Sequence, residues 1–285
     1  MSQESHPKFT FNAVLRLTRF WNLLIIGMAQ YFTAIFLIDF QYIFDWRLMI
    51  LALSTAIIAG AGYIINDYYD IKIDLINKPD RVVIGKHIAR RYALLFHSIL
   101  SFAGVGLAFL LGWRLGLIHI FSSFILWWYS NNLKRQPFVG NFVVALLTGL
   151  SIMLINVLYD LSNSYVIIYS LFAFFMTLVR EIIKDMEDLK GDNTFGCKTL
   201  PIIWGIRKTK IVVYLLLAVF SLLVILLNAI YTLMPFYYFL FFLFIPLGLF
   251  LFILLQADTK RDFYSLSQWC KVIMILGVVS MVFVQ

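Results

Sequence analysis

Long apolar runs separated by short polar loops dominate the pattern of this chain. Most of the runs approach the roughly 20 residues that cross a bilayer as a helix, although two are shorter. They cover residues 20–38, 48–66, 93–112, 116–130, 141–159, 165–183, 212–231, 236–256 and 269–284. None alternates apolar and polar residues with a period of two, which excludes a membrane barrel. The pattern therefore predicts about nine transmembrane helices, because a helix satisfies its own backbone hydrogen bonds in lipid.

Composition supports the same fold class. Hydrophobic residues make up 62% of the chain and charged residues only 13%, too few to cover the surface of a soluble domain of 285 residues. No linker or low-complexity tract divides the sequence. We predict an all-α, multi-pass protein of the inner or cell membrane, with residues 1–285 forming a single transmembrane domain, one bundle around a central apolar cavity.

The net charge of +8 reflects membrane topology and not a nucleic-acid partner. With nine spans, nineteen of the 23 lysines and arginines fall at the N-terminus and in the loops near 67–92, 131–140, 184–211 and 257–268, all on one side. Cytoplasmic loops carry such an excess of basic residues. This side is therefore predicted to be cytoplasmic, and no obligate protein partner is inferred.

Two aspartate triplets with the same spacing interrupt the apolar pattern. Asp67, Asp70 and Asp74 follow the second run, and a second triplet 118 residues later has the same +3 and +4 spacing: Asp185, Asp188 and Asp192. Both triplets end a predicted span, and four helices separate them. The sequence therefore predicts an internal four-helix repeat. The spacing places each triplet on one face of a helix.

Three carboxylates on one helix face repel one another, and the helix C-terminus adds to the cost. A divalent cation removes this penalty, and hard oxygen ligands suit Mg²⁺, which typically takes one or two carboxylates together with phosphate oxygens. Two acidic arms thus predict a magnesium-bridged diphosphate. Basic residues of the same loops are candidates for the remaining phosphate charge: Lys72, Arg81, Lys134, Arg135, Lys184 and Lys198.

A diphosphate site in an apolar, aromatic-rich membrane protein predicts an isoprenyl diphosphate substrate and Mg²⁺-assisted departure of pyrophosphate. A cation-coupled transporter is the main alternative from another class. Transporter sites lie near the bilayer midplane at broken helices. The acids here lie at span ends, and no paired Gly/Pro-interrupted spans are seen.

The segments "NDYYDIKIDLINKPDR" and "REIIKDMEDLKGD" followed by "FGCKTLP" resemble the paired motifs of the UbiA superfamily of intramembrane prenyltransferases. The resemblance covers essentially the whole chain. It implies metal ligation by Asn66, Asp67, Asp70 and Asp74 and by the second triplet. It also implies diphosphate-binding roles for Arg81 and Lys134. Arg19 and Asn22 match the entry to the first helix and are assigned the same role. Val82 stands where many members have proline after the arginine.

Within the superfamily, "REIIKDMEDLKGD" and "LKRQPFVGN" are most similar to the digeranylgeranylglyceryl phosphate synthase branch, with chlorophyll synthases nearby. This similarity implies transfer of a geranylgeranyl-like chain to the hydroxyl of a prenylated glycerol phosphate, a lipophilic acceptor. An aromatic acceptor, as in quinone-forming branches, stays open at this point, since the residues alone do not separate the two.

Overall fold

The computed structural model describes residues 11–231 and 234–284. Helices make up nearly all of this part of the chain, and its only β-type pairing is an isolated bridge between Ile84 and Ile88. The α-helices, in chain order, are α1 Phe11–Leu17, α2 Phe20–Leu37, α3 Trp46–Asn77, α4 Arg90–Leu111, α5 Trp113–Asn131, α6 Val139–Tyr159, α7 Ser164–Glu187, α8 Leu189–Thr194, α9 Leu200–Tyr231, α10 Phe236–Phe239, α11 Ile245–Gln256 and α12 Lys260–Ser280. The predicted all-α class is confirmed.

Eight helical stretches within the described residues are long and apolar enough to cross a membrane. The run at 116–130 also forms a helix, α5, but this helix is not among the eight. Arg114 and His119 lower its apolar character. The predicted count of nine spans and the central cavity therefore stay predictions.

Two breaks in the helices follow from single residues. Gly205 leaves helical geometry inside α9, with φ 78° and ψ 162°, a backbone conformation that glycine adopts without a steric penalty. Between α10 and α11, Leu240–Phe244 widens into a π-turn in which the N–H of Ile245 bonds to the oxygen of Leu240. Pro246 follows directly and has no N–H for the ordinary helical bond.

The chain divides into two compact units. The first comprises the chain up to Gly27 and Met49–Leu133, and the second comprises Met28–Leu48 and Lys134 to the C-terminal end. In the first unit, Leu17, Ile64 and Ile84 belong to one buried apolar cluster, which joins α1, α3 and the loop before α4. The predicted single domain stays a prediction.

Helix α7 is the central element of the second unit and packs against α6, α9 and α12. Val179, Ile182 and Ile183 on α7 are fully buried in the main apolar cluster. Close approach of α12 depends on Gly277, because a Cβ there would lie 2.2 Å from a ring carbon of Phe172 on α7. The buried faces of α7 thus fix the helix whose C-terminal end carries the second aspartate motif.

Candidate active site

The first aspartate motif lies on a single continuous helix. Asn66, Asp67, Asp70 and Asp74 all belong to α3, which ends at Asn77. At 1.5 Å per residue the 32 residues of α3 extend about 48 Å, longer than the roughly 30 Å of a hydrocarbon core. The last turns of α3 therefore reach beyond an apolar span of ordinary length. The predicted common face of this triplet is confirmed.

Arg19 contacts the first motif within the first unit. Its Nη2 lies 2.9 Å from Oδ1 of Asp67, and its guanidinium carbon lies 4.7 Å from the ring centroid of Tyr63. Arg19 has a positive φ of 52° in the turn between α1 and α2, and the N–H of Asn22 donates to its carbonyl oxygen at 2.7 Å. The Arg19–Asn22 turn thus presents a cation to a predicted metal ligand.

The donor set of the first motif fits a hard cation. The Oδ1 atom of Asn66 is buried and accepts no hydrogen bond from the described residues, so an oxygen lone pair is left for a further ligand. Carboxylate and amide oxygens are the ligands that Mg²⁺ takes. Among the described residues, no group of three or more His, Cys, Asp or Glu side chains is arranged to hold a metal by itself. Mg²⁺ needs only one or two carboxylates when a phosphate supplies the other oxygens, so the residues fit.

The second motif differs from its prediction. Asp185 lies on α7, but α7 ends at Glu187, and Asp188 caps it with φ −93° and ψ 7°. Asp192 belongs to the short helix α8. The prediction that this triplet shares one face of a continuous helix is wrong, because the chain departs from helical geometry at Asp188 and α8 begins after it.

Asn141 on α6 fixes one carboxylate of the second motif. Its Nδ2 donates to Oδ2 of Asp185 at 2.9 Å, and the Asn141 side chain is buried. Asn141 stands in the first turn of α6, where the helix dipole favours a negative charge. Sequence reasoning missed this residue. The signal is an amide at the start of an apolar run, which resembles an ordinary helix boundary.

Backbone hydrogen bonds within the second unit bring two predicted phosphate-binding segments together. The N–H of Lys198 donates to the carbonyl oxygen of Arg135 at 2.8 Å, so the segment of Lys134 lies beside that of Lys198. The N–H of Cys197 donates to the carbonyl oxygen of Asp192 at 2.9 Å. The loop after α8 is thereby tied both to the second motif and to the segment that precedes α6.

Lys184 is held by a carboxylate one turn earlier on α7. Its Nζ lies 3.0 Å from Oε2 of Glu181, whose Oε1 lies 2.6 Å from Nη1 of Arg180. In the first unit, Lys72 is exposed on α3. The side chain of Arg81 lies outside the described residues. The two motifs belong to different units, and the assignment of their residues to one site stays a prediction.

A family model described as the UbiA prenyltransferase family matches residues 27–271. The digeranylgeranylglyceryl phosphate synthase of Saccharolobus solfataricus is 35% identical over 220 residues, which cover 75% of this chain and 77% of that protein. The synthase of the same name from Methanothermobacter thermautotrophicus is 37% identical over 164 residues, 58% of each chain. The chain spans between 54 and 60% of the length of this and three further relatives of that name.

Solved structures share the fold. One, described as giving insights into the biosynthesis of digeranylgeranylglyceryl phosphate synthase in membranes, has a TM-score of 0.72 and 25% identity and covers 95% of this chain and 97% of its own. A UbiA homolog from Archaeoglobus fulgidus bound to GPP and Mg²⁺ has a TM-score of 0.59 and 14% identity, covering 94% of this chain and 99% of its own.

Proposed function

This chain belongs to the UbiA prenyltransferase family, and we propose that it transfers a geranylgeranyl-like chain from its diphosphate to a prenylated glycerol phosphate. The observation that carries this proposal is the 35% identity to a digeranylgeranylglyceryl phosphate synthase over 220 residues. Both aspartate motifs lie inside the region that the family model matches. The protein is an integral membrane protein, and a lipophilic donor and acceptor both suit that setting.

The proposed reaction exchanges one carbon–oxygen bond for another. The bond between C1 of the prenyl chain and the diphosphate breaks, and its electron pair leaves with pyrophosphate. The acceptor hydroxyl oxygen forms the new bond to C1, and its proton passes to the released pyrophosphate. Bound Mg²⁺ supplies charge neutralisation to the diphosphate and to the leaving group.

The chain's own residues bind and orient the donor in this proposal. Asn66, Asp70 and Asp74 supply oxygen ligands from one arm, and the second triplet supplies them from the other: Asp185, Asp188 and Asp192. Lys134 and Lys198, whose segments are joined by the bond from Lys198 to Arg135, provide cations for phosphate oxygens. In this proposal both arms bind the same diphosphate, because the two motifs share the +3 and +4 spacing and each can offer Mg²⁺ the one or two carboxylates that it takes beside phosphate oxygens.

We place the reaction on the cytoplasmic side of the membrane. Support comes from the nineteen basic residues at the N-terminus and in four loops on one side, two of which carry the aspartate motifs. An excess of lysine and arginine in short loops is typical of the cytoplasmic side.

The test of the proposed function is a transfer assay with purified protein and Mg²⁺. Prenyl diphosphates of several lengths are offered with a prenylated glycerol phosphate or with an aromatic acceptor, and both pyrophosphate and lipid product are measured. The proposal predicts an ether-linked product with the glycerol phosphate. Product with the aromatic acceptor alone would reassign the acceptor, and pyrophosphate release without any prenylated product would refute transfer.

A further inference from the structure

Three charged residues on α7 lie just before the second aspartate motif. The carboxylate of Glu181 is bound on both oxygens, by Arg180 at 2.6 Å and by Lys184 at 3.0 Å. One carboxylate thus holds two cations, and the trio retains a net charge of +1. Charged residues within a membrane-spanning helix are costly and are commonly functional. A purely structural pair of Arg180 and Glu181 would be neutral and would need no third member.

In this trio of Arg180, Glu181 and Lys184, the two cations are more exposed than the carboxylate. The side chains of Arg180 and Lys184 are 20% and 26% exposed, whereas that of Glu181 is 11% exposed. The Nε atom of Arg180 is buried and has no hydrogen-bond partner among the described residues. A guanidinium offers five donors in a planar fork that matches phosphate oxygens. Arg180 therefore has donor capacity left for an anionic ligand.

Lys184 and Arg180 lie about one and two turns, respectively, before the aspartate that caps α7. Arg180, Lys184 and Asp188 follow an i, i+4, i+8 row, so they share one strip of the helix surface up to its cap. Glu181 and Asp185 form the neighbouring strip, where Asp185 is engaged by Asn141. Lys184 lies about 6 Å along the axis from Asp188, at four residues of 1.5 Å each. A phosphate a few bonds from a reacting hydroxyl matches this separation.

We propose that Arg180 and Lys184, held in place by Glu181, bind the phosphate of the acceptor lipid. This proposal rests on the proposed function, in which the acceptor is a prenylated glycerol phosphate. A monoanionic phosphate oxygen neutralises the residual +1 charge of the trio. The subsite thereby distinguishes a phosphate-bearing acceptor from an uncharged one, and it moves Lys184 from the donor diphosphate to the acceptor.

The test compares two acceptors that differ only in the phosphate. Wild-type protein and Arg180→Met are assayed with the prenylated glycerol phosphate and with the corresponding prenylated glycerol. The ratio of kcat/KM for the phosphate over the alcohol is expected to fall by about 10- to 150-fold, the effect of one hydrogen bond between charged groups. The KM for the prenyl diphosphate is expected to stay unchanged. Arg180→Lys keeps the positive charge without the planar guanidinium fork, and its kcat/KM ratio is expected to fall less than that of Arg180→Met.

A binding measurement separates this proposal from a folding defect. Radiolabelled acceptor lipid is titrated into detergent-purified protein with neither Mg²⁺ nor donor present. Arg180→Met and, independently, Lys184→Gln are expected to weaken binding of the phosphate lipid and to leave binding of the alcohol unchanged. Lys210→Met is the control, since Lys210 is also a buried cation, paired with Asp258 at 3.2 Å, but lies on α9.

Equal losses with both acceptors, or a raised KM for the prenyl diphosphate, would overturn the subsite. Failure of the wild-type protein to transfer to any glycerol acceptor would instead refute the proposed function, so the two failures are distinguishable. If Arg180→Met does not fold, the Lys184→Gln binding ratio alone decides the proposal.

Discussion

Replacement of Asn141 by alanine isolates the support of the second aspartate arm. The substitution removes one hydrogen bond, from Nδ2 to Oδ2 of Asp185 at 2.9 Å, at a position that is 7% exposed. A hydrogen bond to a charged group contributes about 1.5–3 kcal/mol, which corresponds to about 10- to 150-fold in an equilibrium constant. Loss of partners that orient metal ligands typically costs about 10- to 100-fold in metal affinity.

The expected result is therefore a rise of about tenfold or more in the Mg²⁺ concentration that gives half-maximal transfer. Much of kcat is expected to return at saturating Mg²⁺, because the Asp185 carboxylate itself remains. Binding of Mn²⁺ in the presence of inorganic pyrophosphate, followed by electron paramagnetic resonance, provides a readout that does not depend on turnover. The same weakening is expected there.

Asn156→Ala is the matched control, since Asn156 is also a buried asparagine on α6 and donates to the carbonyl oxygen of Asn163 at 3.3 Å. This variant is expected to affect stability without changing the Mg²⁺ dependence. An unchanged half-saturating Mg²⁺ concentration in Asn141→Ala, or an equal rise in both variants, would refute the positioning role of Asn141.

Two further predictions concern stability. Gly277→Val places side-chain atoms where Phe172 lies and is expected to lower the free energy of unfolding by about 1–3 kcal/mol, measured as a lower Tm in detergent. Gly248→Ala is the control, since the space around its Cβ is open, and it is expected to lower the Tm little. Equal losses of Tm in the two variants would contradict the packing of Gly277 against Phe172. Burial of Asp45 opposes ionisation, but hydrogen bonds from Arg47 and Tyr159 outweigh it and hold the pKa of Asp45 below its usual range. The ionised Asp45 carboxylate therefore stabilises the folded state above the pKa it has in the unfolded chain, and this contribution is lost as the pH falls through the lower pKa of the folded state. Asp45→Asn is expected to flatten the fall of Tm in the acid range, and an unchanged acid-side slope would rule this out.

The helices were the most predictable part of the molecule. The runs at 20–38 and 141–159 match α2 and α6 to within two residues, because continuous apolarity both marks a span and fixes its length. The run at 212–231 covers only part of α9, since the polar first turns and Gly205 hide the earlier start of the helix at Leu200. The apolar pattern of a sequence does not predict a break in the helical backbone that a single glycine permits.

The candidate site was predictable in its residue types and less so in its local geometry. Spacing identified both aspartate triplets but did not reveal the helix end at Glu187, which local backbone conformation decides. Contacts between distant segments, such as Asn141 with Asp185, depend on packing that one sequence does not encode in a readable pattern. Arg19 was identified by resemblance, while its ion pair with Asp67 required the structure.

The central claim is that two aspartate arms serve one Mg²⁺-dependent prenyl transfer. Its most direct test measures transfer from geranylgeranyl diphosphate to a prenylated glycerol phosphate, together with pyrophosphate release, in Asp70→Asn and in Asp188→Asn. The account predicts that each single variant loses both product and pyrophosphate by several orders of magnitude while remaining folded. Substantial transfer by either variant at saturating Mg²⁺ would contradict it.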